Sequence, residues 1–120
     1  MTIGQMFENI PTHLAVDDIA TLTATASNLA STFASAINLT SASADVAFTL
    51  DDGTDVGQLK IIFASHEPAG SYVANVTVSS WGYSSDNTNQ IILNALGDAV
   101  ICFWNGSSWY PVSNVNATIS

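Results

Sequence analysis

From residue 46 onward the chain alternates apolar and polar positions with a period of two. Val46, Phe48 and Leu50 alternate with Ala47 and Thr49, the pattern of a strand with one buried face. Asp51, Asp52, Gly53, Thr54 and Asp55 then supply turn residues. Residues 58–63 read as a second strand. Residues 72–78 read as a third, with Tyr72, Ala74, Val76 and Val78 on one face. A polar loop over 82–89 leads into a short strand at 90–93 and a longer, almost fully apolar one at 98–104. Asn105-Gly106 is a strong hairpin signal. It returns the chain through 108–112, and 117–119 reads as a closing edge strand.

Before residue 46 the pattern changes. Ile19, Leu22, Ala26, Leu29, Phe33 and Ala36 are separated by steps of three and four, the spacing of a narrow helical seam. Asp17 and Asp18 stand where they favour a helix N-terminus. The intervening Thr and Ser are mediocre helix formers, so such a helix is marginal alone. It needs either a bundle of copies or its own sheet to lie on. Residues 1–15 show no clean period, and Pro11 interrupts any helix begun before it. Met6, Phe7, Ile10 and Leu14 make this stretch too apolar for a solvated tail, so it is expected to pack as an arm, for example on a neighbouring subunit. The expected architecture is mainly β: a small antiparallel β-sandwich or barrel-like domain over 46–120. An N-terminal arm and helix over 1–45 would precede it and serve anchoring and oligomerisation.

Composition sharpens the picture. Only 9% of the 120 residues are charged, while 48% are hydrophobic, against about 25% charged in an ordinary soluble domain. A surface built from hydroxyls, amides and small apolar groups is cheap to desolvate where those groups find hydrogen bonds. It suits contact with other protein. The net charge is −9 with Lys60 as the sole Lys or Arg, which argues against direct nucleic-acid binding and against an anionic membrane surface. A basic protein surface fits. The N-terminus lacks the basic and apolar regions of a signal peptide, and no stretch approaches membrane-spanning length, so a soluble protein made in a cytosol is expected.

Candidate chemistry is sparse. Cys102 lies in the apolar run from Ala99 to Trp104 and reads as a small buried hydrophobe. His13 and His66 are far apart in sequence, with no CxxC or HxxxH spacing near them. Asp51, Asp52 and Asp55 around Gly53 invite a calcium reading, but the ligand spacing and terminal Glu of an EF-hand are missing; a β-turn explains them better. There is no nucleophile elbow and no phosphate-binding glycine loop. No cofactor or metal is expected, and the chain reads as non-enzymatic. Trp81, Tyr83, Trp104, Trp109 and Tyr110 admit a carbohydrate-stacking platform. Cross-strand packing is the simpler reading, since Trp104 and Trp109 flank Asn105-Gly106 and meet across a hairpin.

Several of these segments together resemble a known module. The run from Phe48 through Asp51-Asp52-Gly53 and Gly57-Gln58-Leu59-Lys60 to Ile62 is followed by Gly97-Asp98 and the stretch ending Trp104-Asn105-Gly106 and Trp109-Tyr110. This is similar to a β-module of tailed-bacteriophage virion proteins, in which a TLxDG…GQxKxI strand pair precedes a GDxVxLxWxGxxW hairpin. Over residues 46–119 it most resembles small trimeric capsid decoration (cement) proteins. The resemblance implies a homotrimer seated on the major capsid protein at the capsid exterior, stabilising the phage head of a virion assembled in the host cytoplasm. Phe7, Ile10, Leu14, Ile19, Leu22, Leu29 and Phe33 would then make oligomer or capsid contacts. Lys60 would pair with Asp51, Asp52 or Asp98 and help fix a subunit contact, and the Trp104–Trp109 hairpin would be structural. Similar modules occur in phage fibre proteins. That leaves the alternative of a receptor- or glycan-binding module using Trp81, Tyr83 and the loop 84–89.

Overall fold

The computed structural model describes residues 19–83 and 87–120. These residues form two β-sheets packed face to face. The strands, in chain order, are β1 (Ile19–Leu22), β2 (Ala34–Ile37), β3 (Val46–Leu50), β4 (Leu59–Ala64), β5 (Ala74–Val78), β6 (Gln90–Leu93), β7 (Ala99–Trp104), β8 (Trp109–Val115) and β9 (Thr118–Ile119). One sheet has the order β1-β2-β4-β7-β8 and the other β3-β5-β6-β9. The mainly β, sandwich-like reading holds, and β3 to β9 lie close to where the alternation places strands.

Two expectations need correction. The helix expected over 17–37 is not formed by the described residues of that span, which hold β1, a single 3₁₀ turn at Leu29–Ser31, and β2. Asn28 takes left-handed φ and ψ of 58° and 48°, a conformation that ends regular helix. All of Ala34–Ile37 is buried, so β2 has no polar face and no period to betray it. The residues from 19 to 45 thus supply two strands of the main sheet rather than an appended arm and helix. The arm over residues 1–15 lies outside the described residues.

The second correction concerns strand direction. The β1/β2, β2/β4 and β3/β5 pairs are parallel, and only β4/β7, β7/β8, β5/β6 and β6/β9 are antiparallel. Parallel neighbours need a long crossover, usually a helix. Here strands of the opposite sheet take that place. From β2 to β5 the chain alternates between sheets, so β3 is the crossover joining β2 to β4, and β4 is the crossover joining β3 to β5. The link from β1 to β2 runs along the edge of the second sheet, where Ala26 bridges Phe48 and accepts from the Thr49 N–H at 3.1 Å.

The core lies between the sheets. Phe48, Leu50, Val76, Val78, Ile91 and Leu93 from one side meet Ile37, Ile62, Val100, Cys102, Trp104 and Trp109 from the other, all buried. Trp104 and Trp109 face each other across β7 and β8 with centroids 5.3 Å apart and planes at 55°. Trp109 donates its indole N–H to the Asp51 carbonyl at 2.8 Å. The turn that pairs them is held by Asn105, whose Oδ1 accepts from the Ser107 and Ser108 N–H groups at 2.9 and 2.8 Å, while Gly106 supplies φ of 101°. Gly53 lets the β3–β4 turn cross the Trp104 ring, because a Cβ there would sit 2.4 Å from the indole.

Candidate interaction surface

Sheet register sorts every strand residue to an inner or an outer face, and the two outer faces differ. On the four-stranded sheet, Ala47, Asn75, Ile92 and Thr118 stand in one outward row, and Thr49, Thr77 and Gln90 in the next. Amides and hydroxyls dominate, as expected of a sheet face meeting water. On the five-stranded sheet the outward rows read Ile19, Ala34, Ile61, Ile101, Ser113 and then Thr21, Ala36, Phe63, Ala99, with Leu59, Phe103 and Tyr110 in a third row. Apart from Thr21, Ser113 and the Tyr110 hydroxyl these are aliphatic or aromatic. Ala34 and Ala36 are themselves buried, at 2% and 6% exposure, and none of these residues is part of the cluster between the sheets. The sheet therefore has a second apolar face, with Ile61 and Ile101 paired at its centre. Ile19 is 47% exposed, Leu59 38% and Tyr110 41%.

No charged residue among the described ones stands on either outer face. Asp45, Asp51, Asp52, Asp55, Glu67 and Asp98 all lie in turns or at strand ends. Several are engaged in holding those turns: Asp98 Oδ2 accepts from the Asn94 and Ala95 N–H groups at 2.8 and 3.0 Å, Asp45 Oδ1 from the Val73 N–H at 3.0 Å, and Glu67 Oε2 from the Leu96 N–H at 3.0 Å. Beside Leu59 the apolar face opens into a cleft of about 490 Å³ lined by Phe33, Thr32, Ala30 and Gln58.

The proposed contact residues fall into three groups. Ile19 lies on the apolar outer face and Phe33 in the adjoining cleft. Leu22 and Leu29 point into the molecule: Leu29 is buried in the core and Leu22 packs against it, which removes Leu29 from an exposed contact surface. Phe7, Ile10 and Leu14 lie outside the described residues. Lys60 also needs correction. It is 0% exposed, so it serves the interior of its own subunit rather than a subunit contact. Its ammonium donates to the Thr32 carbonyl at 3.0 Å, Thr32 Oγ1 at 2.9 Å and Ser35 Oγ at 2.7 Å, which links β4 to the start of β2. Cys102 stands opposite Lys60 on β7. Burial pushes its thiol from 9.0 up to about 12 although the nearby ammonium pulls the other way, so it is a poor nucleophile.

The remaining reactive groups are also occupied structurally. Ser65 Oγ lies 3.0 Å from His66 Nδ1 and 3.2 Å from the Ile37 carbonyl oxygen. The hydroxyl thus has two acceptors within reach, the Ile37 carbonyl and the ring nitrogen. Among the described residues no group of three or more His, Cys, Asp and Glu side chains is placed to hold a metal ion. The apolar outer residues Ile61, Phe63, Ile101 and Phe103 were missed as a surface by sequence reasoning. The available signal was the nearly unbroken apolar run in β4 and β7, which marks a strand covered on both faces. No family model and no curated protein matches the chain.

Proposed function

We propose that the chain is a non-enzymatic structural protein of a tailed-bacteriophage virion. It acts as a capsid decoration (cement) protein that binds the major capsid protein as a homotrimer and stabilises the head from outside. The observation that carries this reading is the apolar, acid-free outer face of the five-stranded sheet on a domain with almost no charged groups. Such a surface is stable when hidden against protein. The resemblance of residues 46–119 to the virion β-module supplies the particular assembly. Interface burial is the mechanism: a standard contact hides about 1,600 Å², and repetition over a shell multiplies it through multivalency. The acidic turns suit a basic patch on the capsid.

The test is co-sedimentation with empty, expanded phage capsids. Stoichiometric, saturable binding that raises the temperature of capsid disruption is the expected result. A second reading, a glycan-binding module of a fibre, draws on Tyr83, which is 53% exposed and meets Trp81 edge-on at 6.2 Å. Tyr83 also borders a cleft of about 350 Å³ with Pro111, Val112 and Asn114. Binding on a glycan array without capsid binding would establish that reading and remove the first.

A further inference from the structure

We infer that the outer face of the five-stranded sheet is the surface by which copies of this chain bind one another, with Ile61 and Ile101 at the centre of the contact. This deepens the proposed function, since it assigns the homo-oligomer contact to one face of the sandwich and leaves the acidic turns for the shell.

Three observations select another copy as the occupant. The first is charge. A chain of net charge −9 repels its copies, and acids held more than about 8 Å apart are largely screened at physiological salt. The outer face of this sheet has no acid among its described residues, so two copies meeting there keep their acidic turns at the periphery. A basic partner gains nothing from this face and has the turns at Asp51, Asp52 and Asp55 instead. The second is chemistry. Ile61, Ile101, Phe63 and Phe103 make no directional demands, so a like surface satisfies them as well as any other; three copies around a three-fold axis can each offer one part of the face to one neighbour and the rest to the next. The third is area. Five strands at about 4.8 Å spacing and about five residues of 3.3 Å rise present roughly 400 Å². That is about half of the roughly 800 Å² per partner that a standard interface needs, and the outer part of such an interface is ordinarily polar and wet. The cleft beside Leu59 and the exposed Val112 and Val115 of β8 border it and can supply that outer part.

The test is sedimentation velocity of the full chain from sub-micromolar to tens of micromolar, with circular dichroism and thermal melting to establish folding. The native chain is expected to run as an oligomer. The double variant Ile61→Asp/Ile101→Asp is expected to weaken association by about a hundredfold or more, as for residues at the centre of a contact. The control Thr77→Asp on the opposite sheet should leave association unchanged. If the double variant fails to fold, Leu59→Asp and Tyr110→Asp, at positions already in contact with solvent, carry the same test. Folded variants that remain fully associated would overturn the inference while leaving a capsid role intact. A monomeric native chain also overturns it. In that case loss of capsid binding on Ile61→Asp assigns the face to the shell. Increased binding of an anilinonaphthalene dye on Phe7→Asp/Ile10→Asp assigns it to the chain's own leading segment. Conversely, variants that dissociate from a chain with no affinity for capsids uphold the inference and remove the decoration reading.

Discussion

The two sheets of this sandwich bury the same kind of inner face and present opposite outer ones. On the four-stranded sheet, Thr49, Asn75, Thr77, Gln90 and Thr118 alternate with the core residues, and the strands read as half-buried. On the five-stranded sheet, Ile61, Phe63, Ile101 and Phe103 alternate with core residues that are equally apolar, apart from Lys60. The difference lies within one short chain, so general composition does not explain it. A low content of ions accounts for uncharged surfaces on both sheets; it does not account for Asn and Thr on one and Phe and Ile on the other. The lesson is that neutrality and hydrophobicity are separate properties here. The first is global, and the second is concentrated on one outer face.

The largest expected effect tests the inner faces that the sheets share. Trp109→Ala removes a fully buried indole and its bond to the Asp51 carbonyl, and should cost about 4 kcal/mol in denaturant unfolding. Near-native stability would show that the sandwich is held elsewhere. Next, Lys60→Ala should cost about 3 kcal/mol, by leaving a cavity and stranding Ser35 Oγ and the Thr32 carbonyl. Lys60→Met keeps the volume and should cost less, which would show that size rather than charge is what the inner face needs there.

Alkaline pH gives a smaller, graded effect. The Cys102 thiol is pushed from 9.0 to about 12. Above pH 9 the unfolded chain therefore releases a proton that the folded chain retains, and stability falls as pH rises toward 12. The slope is about 1.4 kcal/mol per pH unit. Thermal melts of the native chain and of Cys102→Ala over this range should diverge by that slope; parallel curves would show that the thiol is not shielded. The smallest effect bears on the contrast itself. Thr77→Lys, on the polar outer face, should change stability by no more than about 0.5 kcal/mol and leave sedimentation unaltered. A change in assembly would mean that both outer faces make contacts.

How legible this was in the sequence depended on whether each strand kept a solvent face. β3 and β5 alternate cleanly, β6 is a short apolar segment set off by the polar loop before it, and the Asn105-Gly106 dipeptide located the β7–β8 turn, so these elements follow from local pattern. β2 is four residues, each buried, between two parallel neighbours. Its small side chains carry no period, and the step of three and four across Leu29 and Phe33 imitated a helix. Strand direction was also hidden, because the interleaving of β2 to β5 is decided by long-range pairing. The candidate face was half visible. The apolar run of β7 was plain, but it read as one strongly buried strand, and only the register between Ile61 and Ile101 shows that alternate residues of two strands line a second surface.

The interleaving of β2 to β5 also governs how the molecule comes into being. Because consecutive strands there occupy different sheets, no hairpin in that stretch can form early and wait for the rest. Each pairing closes a loop across an intervening strand, a topology that folds in milliseconds to seconds rather than microseconds. During that interval both the interior and the Ile61–Ile101 face are open to other newly made chains, a hazard for sticking in the wrong register. The last strand is fastened late as well: Trp81 donates to the carbonyl of Ser120 at 3.1 Å, and Gln90 and Ser120 exchange backbone bonds. β6 therefore gains its second neighbour only once residues 118–120 have been made.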